Sequence, residues 1–98
     1  MAGAAARVGD TLARVLRTIG YTIVAIVVLH IVLTLLQANP ANAVAALIAR
    51  LAETFDLGLS NLFLVPDPML AVALNYGAAA LAWLLVTAVV VRLASRIG

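Results

Sequence analysis

The sequence predicts an all-α membrane protein: a two-transmembrane helical hairpin with an extracytoplasmic amphipathic helix and an N-terminal amphipathic extension. Three observations predict it. Of 98 residues, 66% are hydrophobic and 10% are charged, where soluble domains run at about 45–50% and about 25%. Mean hydropathy is +1.21, more apolar side chain than so short a chain can hide from water. Two long stretches, Thr18–Leu36 and Met69–Val91, carry no formal charge. The same composition excludes an intrinsically disordered chain. The lack of cysteine excludes disulfides, zinc–thiolate sites and thiol catalysis.

Residues 1–17 form the amphipathic extension. Val8, Leu12, Val15, Leu16 and Ile19 recur at helical spacing, with Arg7, Asp10, Thr11, Arg14 and Arg17 mostly on the other side. Two readings fit: an interfacial helix on an anionic inner leaflet, and a cytoplasmic extension of the first span with a solvated arginine face. Residues 18–37 are the first span and 69–91 the second. The uncharged runs measure about 28 and about 34 Å as helices, matching a hydrocarbon core of about 30 Å. The β-branched residues of Ile23–Val32 favour a strand in water. In lipid the backbone must satisfy itself within one segment, so helix prevails. A signal peptide is not expected. Ala41-Asn42-Ala43 resembles a cleavage site, but the preceding apolar run of about 19 residues exceeds the about 7–15 of a signal core.

Residues 38–68 are expected as an external loop holding a short helix. Asn39-Pro40 breaks the first span, Asn42 suits an N-cap, and a helix follows over about Ala43–Phe55. Val44, Leu47, Ile48, Leu51 and Phe55 form one apolar stripe, with Ala46, Arg50, Glu53 and Thr54 largely away from it. Gly58 is placed as a C-terminal glycine. Leu59–Val65 is apolar but too short to span. Pro66-Asp67-Pro68 is a stiff turn in which Asp67 caps the second span. The loop helix reads either as a platform flat on the bilayer or a partner, or as a loop folded back on the hairpin. Residues 92–98 are a cytoplasmic tail.

Orientation follows from the arginines. Arg7, Arg14, Arg17, Arg92 and Arg96 lie at the two ends, and Arg50 alone lies between the spans, near Glu53, Asp56 and Asp67. The positive-inside rule puts both termini in the cytoplasm, in the cell (inner or plasma) membrane. The net charge of +2 does not point to nucleic acid, whose binders cluster their basic residues on one face.

Polar residues inside the spans are the candidate functional positions, since ionisable groups in lipid are expensive. His30 and Asn75 are expected at a shared depth, facing protein, and Thr34 lies on the His30 face. The sharp reading of His30, Thr34 and Asn75 is a proton or ion path in an oligomer. The plain one is packing by a neutral histidine bonded to Asn75, Thr34 or a backbone carbonyl. Ala71, Gly77, Ala78, Ala79 and Ala82 give the second span a small-residue face, with Trp83 as a packing anchor whose indole N–H needs a partner. That face serves packing on the first span, an oligomer interface, or both.

No catalytic arrangement is found. Ser60 and Ser95 are expected on opposite sides of the membrane with His30 between them, too far apart for a nucleophile–base pair. One histidine makes a poor metal site, and no cofactor is implied.

Gln37-Ala38-Asn39-Pro40-Ala41-Asn42, Leu57-Gly58-Leu59, Asp67-Pro68 and Asn75-Tyr76-Gly77-Ala78-Ala79 together resemble a group of small two-span membrane proteins of actinobacterial type. The likeness implies topology and no activity. The layout of two spans around an interfacial helix is also similar to one half of the YggT membrane family, from which no residue roles carry over. The functional expectation is a non-enzymatic structural or assembly protein, in contact with membrane lipids and self-associating. The alternatives are an oligomeric pore lined by the polar face, and an accessory subunit of a larger membrane complex.

Overall fold

A computed structural model describes residues 2–97. It contains three helices, α1 (Ala2–Leu35), α2 (Ala43–Thr54) and α3 (Pro68–Ser95), and no strand among the described residues. The molecule is a rod of 56 × 27 × 17 Å. Both α1 and α3 are long and apolar enough to cross a membrane. Each helix end has a local cause. At the end of α1, Gln37 takes a left-handed backbone (φ 56°). Its N–H donates to Thr34 O at 3.0 Å and that of Ala38 to Leu33 O at 2.9 Å, which is a Schellman closure without its usual glycine. The Asn42 side chain caps α2 by accepting from Val44 and Ala45 N–H. Beyond α2 the chain turns through Leu57 (φ 56°) and Gly58 (φ 74°), and Asp56 accepts from the Gly58 N–H at 2.8 Å. Asp67 caps α3 by accepting from Met69 N–H, with Pro68 in the first turn.

α1 and α3 pack antiparallel. Gly9 lies against Ala94 and Ile97, Gly20 against Thr87, and His30 against Tyr76. On α1 the inward positions are Gly9, Ala13, Leu16, Gly20, Ile23 and Val27. They alternate steps of four and three, the spacing of a helix–helix seam. Apart from Leu16, the large apolar residues of the extension point the other way: Val8 is 59% exposed and Ile19 51%. The physical reason is backbone approach. A Cβ on Gly9 would stand 2.7 Å from Ile97 O, and one on Gly20 would collide with the Thr87 side chain.

α2 does not lie flat across the hairpin end. It folds back antiparallel to α1. Ala45, Ala46 and Ala49 line one pocket with His30, Leu33 and Thr34. Ala52 is buried against Val27, Tyr76 and Ala80, and Phe55 packs at the edge of that cluster beside Val24. The helix is rotated from the expected stripe. Ala49 and Ala52 face inward, while Val44 and Leu47 are exposed together with Arg50, Glu53 and Thr54. Ile48, Leu51 and Phe55 of the stripe stay half-buried, but they do not make the closest approach. The packing instead uses the alanines, whose short side chains let α2 reach the groove.

Candidate functional site

The polar groups on the expected list separate into two places. His30 and Thr34 share a pocket of about 100 Å³ bounded by Ala38, Pro40, Ala45 and Ala49, on the side of α1 that α2 covers. The Thr34 hydroxyl donates to His30 O at 2.8 Å, so its donor is spent on its own helix. The His30 ring meets Tyr76 edge to face, with centroids 4.7 Å apart and planes at 78°. Tyr76 is the neighbour that sequence reading missed. A tyrosine beside an asparagine drew attention to the amide, although the two point to different neighbours.

Asn75 is 3% exposed and turns to the loop. Its Oδ1 accepts from Phe63 N–H at 2.6 Å, and its Nδ2 donates to Phe63 O at 3.1 Å. One amide side chain therefore satisfies both backbone groups of a loop residue, as a neighbouring strand would. Asn75 is paired with that peptide and not with His30. Phe63 could not have been named from sequence, because a backbone partner has no residue-type signal.

Trp83 finds its partner inside the chain. Its Nε1–H donates to Phe55 O at 2.7 Å, and the two rings meet at 6.0 Å and 78°. This bond and the Asn75 clamp hold the start and the middle of the return segment to α3.

The small-residue face of α3 divides. Ala79 is fully buried. Ala71, Ala78 and Ala82 are half-buried, and a side chain added at Gly77 would meet nothing within 4 Å. Gly77 and Ala78 border an open apolar groove with Val24, Val28, Phe63 and Leu81, away from α2.

Chemically the site offers little beyond binding and packing. The His30 pocket is the size of a few water molecules, with an imidazole and a hydroxyl among alanines. Among the described residues no group of three or more histidines, cysteines or carboxylates is placed to hold a metal ion. Three exposed helix hydroxyls are satisfied locally: those of Thr18, Thr22 and Thr54 each donate to the carbonyl four residues back. No protein-family model, curated protein or solved structure matches the chain.

Proposed function

We propose that this chain is a multi-pass integral protein of the cell (inner or plasma) membrane with a structural role. It is a self-associating helical hairpin with both termini on the cytoplasmic side. One observation carries the reading: side-chain size is inverted across the helices. Ile19, Val28, Leu81 and Leu85 are exposed, whereas Val27, Ala52, Ala79 and Ala80 are buried. In water a surface so apolar drives aggregation. In lipid, helices gain nothing by hiding leucine from hydrocarbon, and they associate through small residues that admit close contact. The internally bonded threonine hydroxyls suit the same solvent. Exposed arginines at both chain ends support the orientation. A single helical hairpin leaves most of its lateral surface uncovered, which supports assembly with further copies.

The test is fractionation, followed by labelling and native mass measurement. The polypeptide should stay with membranes through alkaline extraction and leave only in detergent. Tags on the two ends should be reached only after the membrane is opened from the cytoplasmic side. Mass in mild detergent should be a multiple of the 10.1 kDa chain. A chain that stays dispersed without detergent overturns the membrane reading, and a strict monomer overturns self-association. Foreign subunits in stoichiometric amount would replace self-association with membership of a larger complex.

A further inference from the structure

The fold leaves one feature at odds with a lipid surround. Arg50, Glu53 and Thr54 are all exposed, yet α2 runs down the hairpin alongside α1. Their depth follows from two ties. Ala52, next to Glu53, is buried against Val27 and Ala80. Phe55, at the end of α2, is bonded to Trp83, which lies about 13 Å along α3 from Arg92. A helical tryptophan leans toward the N-terminal turn. The Phe55 carbonyl therefore sits near the middle of a hydrocarbon core about 30 Å thick. A guanidinium and a carboxylate at or above that level, on an outward face, are expensive against lipid. Arg50 is long enough to reach toward the loop end of the hairpin; Glu53, one turn deeper, is not.

The outward edge of α2 is also built like a helix-packing surface. Ala43, Leu47, Arg50 and Thr54 are exposed and follow steps of four, three and four, as the inward seam of α1 does. Glu53, exposed and one turn on from Arg50, borders this edge on the flank of Ala46 and Ala49, so the two signs of charge stand side by side on α2. Two copies related by an axis along the membrane normal would bring identical edges together at equal depth, the arrangement of an isologous interface. We propose that the outward edge of α2 docks a second copy of this chain, with Arg50 of each copy beside Glu53 of the other. This rests on the membrane reading above and assigns that reading's self-association to one face. The pairing removes both charges from lipid and gives the α2 fold-back a purpose: it carries the charged edge to the depth at which a second copy satisfies it.

Charge reversal in the full chain tests this in mild detergent, with helicity measured alongside. Arg50→Glu places like charges in contact across the interface, as does Glu53→Arg, and each should weaken self-association by about tenfold or more. Copies carrying Arg50→Glu mixed with copies carrying Glu53→Arg should co-assemble, because each supplies what the other lacks; this recovery also shows that both variants are folded. The chain has no cysteine, so single cysteines report the face directly. Leu47→Cys on α2 should cross-link between copies on oxidation in membranes, and Leu85→Cys on α3 should not. If the native chain assembles but ignores both reversals and cross-links through Leu85→Cys, the α2 edge is not the interface, while self-association stands. If the native chain is a monomer, or assembles only with a foreign subunit, the self-association reading falls and this inference with it.

Discussion

Between its arginine-rich end and Gly20 the rod is two helices thick, and α1 approaches α3 most closely at two glycines. Gly9 faces the Ala94 and Ile97 carbonyls, and Gly20 faces Thr87. From Val24 to the loop end it is three helices thick, and the named ties are side chains reaching a ring or a peptide: His30 on Tyr76, Asn75 on Phe63 and Trp83 on Phe55. The difference teaches how a chain with few polar residues builds a specific contact. Where two helices meet alone, specificity comes from what is missing, a Cβ. Where a third element must be held, it comes from a few polar atoms whose partners are buried with them. The first device tolerates no added volume, and the second no lost partner.

The largest effect should therefore come from adding volume to the thin half. Gly20→Leu should separate α1 from α3 at that level, and Gly20→Ala should cost about 1–3 kcal/mol by overpacking. Unfolding in mild detergent measures both. The contact also names its own rescue. Thr87→Ala removes the hydroxyl and methyl that an added Cβ meets first, but leaves the Thr87 Cβ at 2.8 Å. Recovery of Gly20→Ala by Thr87→Ala should then be partial, with a coupling that a double-mutant cycle reads directly. Independent effects of the two changes would mean that the thin half is not held by this contact.

The thick half should respond to a lost partner with a smaller, local effect. Asn75→Leu keeps the side-chain size and strands the N–H and C=O of Phe63. The expected cost is about 1–3 kcal/mol, as for buried groups left unpaired. Amide exchange gives a sharper reading than global stability: the Phe63 N–H should exchange faster, while amides around Gly20 should be unchanged. A loss equal to that of Gly20→Leu, or protection lost along the whole of α1, would erase the distinction between the halves.

The architecture was legible because length and charge carry it. Two uncharged runs, Asn42 and Asp67 as caps, and the Pro66–Pro68 turn each have a direct local cause. The facing of the helices was not legible, for one shared reason. Periodicity ranks positions by hydrophobicity, and the inward positions of α1 and α2 include Gly9, Ala13, Gly20, Ala49 and Ala52 beside Leu16, Ile23 and Val27; the small ones rank below Val8, Ile19, Val44 and Leu47. In an apolar surround the informative pattern is small residues at steps of three and four. That pattern is conspicuous in the alanines of α3 and inconspicuous on α1, where single glycines carry it. Of the candidate site, the residue types worth watching were visible: His30, Asn75 and Trp83 all hold contacts. Their partners were not, because two of the three are peptide groups, which every residue carries.

The smallest expected effect tests the joint at which the thick half begins. Gln37 closes α1 with a left-handed backbone (φ 56°) and an exposed side chain. A residue with a Cβ is disfavoured there by about 1–2 kcal/mol. Gln37→Gly removes that strain but enlarges the freedom of the unfolded chain, which offsets about 0.5–1 kcal/mol of the gain. A net stabilisation of about 0.5 kcal/mol is expected, with the bond from Ala38 N–H to Leu33 O preserved. Gln37→Ala, which keeps the Cβ and drops the amide, should be neutral and serves as the control. If both variants destabilise equally, the amide is a tie that belongs with Asn75 and Trp83. If glycine alone stabilises, the joint is strained backbone, and the thick half depends on its side chains for the position of α2.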